Sequence, residues 1–420
     1  MDEETSSGSV ADAFPLTRIP DPVRAIAARL REAGHEAWFV GGAVRDVLLE
    51  QRRQTVPRRV GDFDITTSAT PDVVSKLFRR TVPVGIEHGT VAVLDDEGAA
   101  HEVTTFRKDI ETDGRHAVVQ FGVSLTDDLA RRDFTINAIA VHPETGALVD
   151  PYAGQADLAA GVVRAVGDPA QRFLEDRLRI LRALRFATVL GFEVEPETWR
   201  ALGAQAKELA HLSRERVRDE WLKTLDAEAP GRGVRLWRDA EVLTEVWPEL
   251  TRLPDATPGW LDACETREPV LLTATVFWRA EVRPETAEAA VRRLRFSNRD
   301  TAYVRAAVAA LTDAPPAPGQ VRDVRRWLAR HREVAHDVIA VSEPRSRRAD
   351  LLAALQAIET AGDPLSVREL AVTGEDLKAA GLPAGKAMGE VLRQLLDDVL
   401  EEPWRNTREW LLERARELAP

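Results

Sequence analysis

The hydrophobic pattern of this chain changes character once, and that change restricts the fold more than any other feature. Before about residue 155, short bulky apolar runs alternate with turn-forming residues, as strands require. From Pro169 onward, Ala, Leu, Arg and Glu recur at three- and four-residue intervals, as helices require. With 420 residues the chain exceeds one ordinary core. The expected architecture is therefore a mixed α+β head followed by a long all-α remainder. Residues 1–14 are acidic and Ser-rich, without the basic start and apolar core of a signal peptide, and are expected to be a disordered tail.

Within the head, apolar residues at Val23, Ile26, Ala27 and Leu30 predict a helix over Pro20–Gly34. A short strand, Ala37–Val40, then runs into Gly41-Gly42 and a second helix, Ala43–Glu50. Gly61–Thr66 reads as another strand, and Thr70-Pro71 as the start of a helix over Asp72–Arg79. Thr90–Leu94 and His101–Phe106 look paired across an acidic turn, and Ala138–His142 with Ala147–Val149 forms a hairpin. Lys108–Val123 is polar and aperiodic, which predicts a mobile loop.

The alternation of Asp62-Phe63-Asp64-Ile65 places the two aspartates on one strand face. Two carboxylates so spaced suit a pair of hard cations, the arrangement of two-metal phosphoryl transfer, although Asp-x-Asp is also common in turns and exposed strands. Upstream, Gly41-Gly42-Ala43-Val44-Arg45-Asp46 forms a glycine turn at a helix start. Its N–H groups and Arg45 could hold a triphosphate, or the turn could be a plain strand-to-helix link. Glu102 is either a third carboxylate of the same site or a surface strand residue.

The net charge of −12 argues against general nucleic-acid affinity. Arginines nevertheless cluster at Arg52, Arg53, Arg58 and Arg59, at Arg172–Arg185, at Arg214–Arg218 and at Arg322–Arg332, either as solvated faces or as a basic channel. The single cysteine, Cys264, excludes an internal disulfide and a cysteine-rich zinc site, and points to the cytoplasm.

Five ordered motifs resemble those of the class II tRNA nucleotidyltransferases and the related bacterial poly(A) polymerases. They are Gly41–Asp46, Asp62/Asp64, Arg131-Arg132-Asp133-Phe134-Thr135-Ile136-Asn137-Ala138, Glu175-Asp176-Arg177-Leu178-Arg179 and Ser213-Arg214-Glu215-Arg216-Val217. The resemblance implies a polymerase-β-like head over 15–153, a helical neck over 154–226 that recognises the base, a body over 227–345 and a tRNA-binding tail over 346–420. It implies Mg²⁺ as cofactor, CTP and ATP as substrates and tRNA as partner. It makes Arg131 and Arg132 phosphate donors, Asp133 the acceptor for the ribose 2′-hydroxyl, and Asp176 with Arg179 the readers of the base. The i, i+3 spacing of Asp176 and Arg179 puts them side by side on one helix face, braced by the Arg-rich helix 214–223. Arg107, Asn137, Arg182 and Arg185 are further nucleotide-binding candidates.

Pro83–Val91 resembles the CCA-adding type, and Arg107–Phe121, with Asp113-Gly114-Arg115-His116, resembles the loop that permits A addition. The expected reaction is template-independent addition of C and/or A to the tRNA 3′ end, with A-only addition and polyadenylation as alternatives. A non-catalytic RNA-binding protein and transfer onto a protein or small molecule are rivals of other classes. Arg295–Asn298 and Leu370–Leu377 resemble the family's body and tail, but Leu271–Trp278 carries no His-Asp pair. His336-Asp337 is expected to be structural, and no hydrolase activity is expected of the body.

Overall fold

The computed structural model describes residues 14–53, 62–85, 89–112, 117–342, 345–383 and 385–418. Residues 1–13 of the expected tail, Arg58, Arg59, Gly61, the middle of the Pro83–Val91 run and the Asp113–His116 turn lie outside them. Phe14 is not part of a tail: its ring is buried and its N–H donates to the Gly146 carbonyl. The chain divides into two compact units, one of residues 1–224 with 233–246, the other of 225–232 with 247–420.

The first unit is built on a seven-stranded sheet of order β3-β4-β5-β2-β1-β8-β9. Its strands are β1 (Ala37–Val40), β2 (Asp64–Thr67), β3 (Thr81–Gly85), β4 (Thr90–Leu94), β5 (Ala100–Thr105), β8 (Ala140–Val141) and β9 (Leu148–Val149). Helix α1 (Asp21–Glu32) buries the four apolar residues that its spacing predicts, Val23, Ile26, Ala27 and Leu30. Strand β1 ends at Gly41, whose φ of 88° lies in the left-handed region, and α2 (Gly42–Arg53) follows. Helix α3 (Pro71–Leu77) begins after Thr70 as expected, but the Thr70 side chain makes no capping hydrogen bond.

Register explains why the distant motifs meet. Antiparallel pairing sets Val40 opposite Asp64, so the end of β1, with its glycine turn, abuts the start of β2. Parallel pairing sets Ile65 opposite Val103, which brings the preceding residues Asp64 and Glu102 to neighbouring positions. Phe63 and Ile65 are buried and Asp62 is exposed, in keeping with the predicted alternation.

The stretch expected to be a loop is a hairpin of β6 (Arg107–Thr112) and β7 (Ala117–Phe121), a separate two-stranded sheet with a register shift between Asp109 and Glu111. A ribbon held by backbone pairing outside a layered core needs no alternating apolar face, so the sequence lacks the period that reveals most strands.

Helix α4 (Leu125–Ala130) opens with a capping box in which Ser124 and Asp127 satisfy each other's N–H groups. The chain then passes through Arg131–Asp133, pinned by the bond from Val166 N–H to the Asp133 carbonyl. Next in the first unit come α5 (Gly154–Ala160), α6 (Pro169–Glu175), α7 (Leu178–Leu190), α8 (Pro196–Gln205) and α9 (Arg214–Leu225), with a small parallel pair, β10 (Val162–Val163) and β11 (Glu193–Val194).

The second unit is helical. Its helix Pro269–Arg279 is buried from Leu271 to Phe277, and the Trp247 ring packs edge-on against Phe277 with centroids 5.3 Å apart. Toward the C-terminus Leu377, Leu395, Leu411 and Ala415 share one apolar cluster. His336 and Asp337 turn to different partners: the imidazole lies 3.2 Å from Glu359, while Asp337 accepts from the Tyr303 hydroxyl at 2.7 Å. They form no joint site. No helix among the described residues is long and apolar enough to cross a membrane.

Candidate active site

The glycine turn and the carboxylates form the first part of the site. A Cβ at position 41 would lie 2.7 Å from Asp64 Oδ2, so only glycine lets the turn approach the carboxylate this closely. Burial pushes the Asp64 carboxyl up to about 6. Arg132 offsets part of that rise, and the nearby charges of Glu102 and Asp62 add to it. Asp64 and Glu102 line a cavity of about 170 Å³ with Thr90, Arg107, Arg131 and Arg132. Among the described residues no three His, Cys, Asp or Glu side chains converge into a cation cage. The crowded carboxylates do fit a hard cation that keeps water and substrate oxygens as its remaining ligands, since positive charge would relieve both burial and mutual repulsion.

Arg132 lies at the same turn: a Cβ at position 41 would also be 3.8 Å from its Nη1. It is half-buried, and its Nε, shut off from solvent, has no acceptor among the described residues. A buried guanidinium N–H without a partner fits an anionic ligand such as phosphate. Arg131 and Arg132 share one carboxylate: Asp128, fully buried, lies 2.8 Å from Arg131 Nη2 and 3.5 Å from Arg132 Nη2. The Arg131 and Arg132 side chains are 17% and 16% exposed, enough to present N–H groups to both cavities they line.

Three predicted nucleotide contacts are turned inward. Arg45 is 8% exposed. Its Nε donates to Asp46 at 2.8 Å, its Nη1 donates to Asn137 Oδ1 at 2.8 Å, and it stacks on the Phe186 ring at 5.0 Å. It braces the glycine turn rather than projecting into the cleft. Asn137 in turn donates to Asp133 Oδ1 at 3.0 Å, which also accepts from Phe134 N–H at 2.8 Å. Asp133 Oδ2 receives Arg182 Nε at 2.8 Å. Burial alone would raise this carboxyl, but Arg182 and the hydrogen bonds from Asn137 and Phe134 hold it far below the usual range. Asp133 is thus already saturated with donors, and it presents no spare lone pair to a ribose hydroxyl in this arrangement.

The second part of the site is a cavity of about 250 Å³ lined by Arg131, Arg132, Asp133, Asp176, Leu178, Arg179, Arg182 and Arg216. Asp176 and Arg179 both reach it, but not from one helix. Helix α6 ends at Glu175, Asp176 is extended at φ −150°, and α7 starts at Leu178. Asp176 Oδ1 takes the Leu178 N–H at 3.0 Å, a hydrogen bond that turns the chain into α7, and its Oδ2 accepts from Arg216 at 2.7 Å. The Arg-rich helix α9 therefore braces Asp176, as expected. Arg179 is fixed separately, donating to the Arg131 carbonyl at 2.8 Å and to Glu175 at 3.0 Å. Arg185 pairs with buried Glu220 and lies 4.0 Å over Phe186, whose ring Arg182 also approaches at 5.3 Å.

Asp128, Phe186 and Glu220 are functional neighbours that the sequence reading does not name. Asp128 had a local signal, since it precedes Arg131 and Arg132 by three and four residues at the end of a helix. Glu220 and Phe186 meet their partners through tertiary packing and had none.

The chain matches three family models in order. These are the "Poly A polymerase head domain" over 37–164, a "Probable RNA and SrmB- binding site of polymerase A" over 191–253, and tRNA nucleotidyltransferase domain 2 over 267–415. A CCA-adding enzyme of Limosilactobacillus fermentum is 36% identical over 413 residues, covering 95% of this chain and 97% of its own. The Anoxybacillus flavithermus CCA-adding enzyme is 50% identical over 198 residues, about half of each chain (47% and 48%). The crystal structure of the Bacillus stearothermophilus CCA-adding enzyme with CTP superposes with a TM-score of 0.78 at 32% identity, covering 94% of this chain and 97% of that one. The Thermotoga maritima CCA-adding enzyme solved with tRNA shares the fold at a TM-score of 0.62 and 21% identity, covering 96% and 97%. With its motifs in order and its relatives matched nearly end to end, the chain belongs to the CCA-adding tRNA nucleotidyltransferase family.

Proposed function

We propose that this protein adds C and A nucleotides to the 3′ end of tRNA from CTP and ATP, without a nucleic-acid template. The observation that carries the reading is the pairing of a like-charged carboxylate group, Asp62, Asp64 and Glu102, with a glycine turn and the half-buried Arg132 in one cleft. Negative charge beside phosphate donors suits a triphosphate.

In the reaction, the terminal 3′-hydroxyl oxygen of the RNA forms a bond to the α-phosphorus and gives up its proton to solvent, the bond to the bridging oxygen breaks, and pyrophosphate leaves with the electron pair. Asp62 and Asp64 would hold two Mg²⁺ ions, which when bound acidify the attacking hydroxyl and neutralise the pyrophosphate. Arg107, Arg131 and Arg132 bind the phosphates, and Gly41 and Gly42 let the backbone approach them. Arg45 and Asn137 position these groups, and Asp133 orients Arg182. Asp176 and Arg179 read the base edge from opposite sides of the break between α6 and α7, with Arg185 behind them. The head runs over 15–153, the neck over 154–226, the body over 227–345 and the tail over 346–420, with the tRNA elbow on the tail and the cytoplasm as the site of action.

Presence of the 107–121 segment supports A addition; A-only addition beside a separate CC-adding enzyme is the second reading, because the same segment serves both. The test uses tRNAs ending before CCA, after C and after CC, each with CTP alone, ATP alone and both. A full CCA enzyme extends all three. An enzyme that extends only the CC-ended tRNA is the A-adding form, and one that extends none contradicts the proposal.

A further inference from the structure

We infer that Asp128 is the positioning residue that aims Arg131 and Arg132 at the triphosphate and ties them to the strand bearing Asp64. The inference rests on the nucleotidyltransferase reading of the cleft. Asp128 has no exposed surface, yet it carries a carboxylate, which demands compensation from every side. Its Oδ1 accepts from Arg131 Nε at 2.9 Å and from the Arg107 N–H at 3.4 Å. Its Oδ2 accepts from the Thr66 hydroxyl at 3.1 Å and faces Arg132 Nη2 at 3.5 Å. One buried group therefore joins α4, the base of the β6–β7 hairpin, the arginine pair and β2.

Thr66 lies two residues beyond Asp64 on the same strand face, so the tether reaches the carboxylate wall directly. Without the negative charge of Asp128, Arg131 and Arg132 would repel each other across adjacent residues and lose their fixed directions. The attraction of Asp64 would then be the largest one left to Arg132, and it competes with phosphate. Asp128 does not line either cavity, so it acts through the arginines and touches no substrate.

The contacts it orders are to phosphates and carry no base information. Asp128→Asn should accordingly weaken CTP, ATP and inorganic pyrophosphate by the same factor, about tenfold for the loss of charge-assisted hydrogen bonds. Affinity for tRNA should stay at the wild-type value. Thr66→Val, which cuts the tether without changing charge, should give the same pattern at about threefold. Equilibrium binding of each ligand to the full chain by titration calorimetry reads these effects without requiring turnover. Absence of nucleotide transfer by the wild type would therefore sink the functional reading while leaving this inference separately testable.

Equal loss for the three phosphate ligands at constant tRNA affinity supports the role. Unchanged pyrophosphate binding in a folded Asp128→Asn protein, or CTP and ATP affected unequally, overturns it. If Asp128→Asn fails to fold, Thr66→Val decides by the same criteria.

Discussion

Asp64, half-buried, and Asp133, buried, line neighbouring cavities that share Arg131 and Arg132, and their surroundings push them in opposite directions. Burial raises Asp64 to about 6, with Arg132 offsetting part of the rise and the charges of Glu102 and Asp62 adding to it. Asp133 has Arg182, Asn137 and a backbone N–H, and is held far below the ordinary carboxylate range. Burial alone raises both, so the difference lies in the partners. A carboxylate saturated by donors has no chemistry left to do and serves to position its partners. One crowded by like charges gains by binding a cation, and it marks the place where charge is handled during reaction.

The contrast can be broken most sharply at its reactive end. Asp64→Ala or Asp62→Ala should lower transfer to tRNA on the order of a thousandfold or more, since both carry cation ligation. A gel-based extension assay measures this, and activity retained by either variant would remove the pair from the reaction.

At the saturated end, Arg182→Ala leaves Asp133 buried without its cationic partner, and should destabilise the fold by about 3 kcal/mol in urea melts. The depressed Asp133 gives stability that is fully present above the ordinary carboxylate value and is lost as pH falls through its own lower one. With Arg182 gone, burial raises this carboxyl, so the penalty should persist or grow, and not fade, from pH 5 to 8. A penalty that fades toward neutral pH would contradict the pairing.

Asp64 has the opposite sign. Its folded value of about 6 exceeds its ordinary 3.8, so the folded state favours the protonated form and loses stability as pH rises from about 4 through 6. Without added divalent cation, Asp64→Asn should stabilise the protein by about 1–3 kcal/mol at pH 8 and by little at pH 4. Equal melting of variant and wild type at both pH values would refute the crowding.

The smallest expected effect lies in the base cavity. Arg179→Ala should relax discrimination against UTP by about tenfold, with little change in cation dependence. Unchanged selectivity would assign Arg179 to bracing the Arg131 carbonyl alone.

Much of this organisation was legible in the residues. Helical spacing identified the buried side of α1, and the motif order announced the family, whereas the strand expected over Gly61–Thr66 begins only at Asp64, with Asp62 just ahead of it. The failures share a physical cause. The β6–β7 ribbon lies outside the layered sheet and shows no apolar period. The break at Asp176 was hidden because a side chain accepting the Leu178 N–H ends one helix and starts another without proline or glycine. Arg45 and Asp133 carry the right residue types for phosphate and ribose. Whether such groups face a ligand or one another is decided by packing among α2, the 131–137 segment and α7, which local spacing does not encode.

The most direct measurement is single-turnover transfer of labelled CMP from CTP to tRNA lacking its CCA end, comparing the wild type with Asp64→Asn at saturating Mg²⁺. The wild type should label the tRNA, and the variant should bind CTP yet leave the tRNA unlabelled. Labelling by Asp64→Asn at the wild-type rate would contradict the assignment of this carboxylate cluster as the reacting centre.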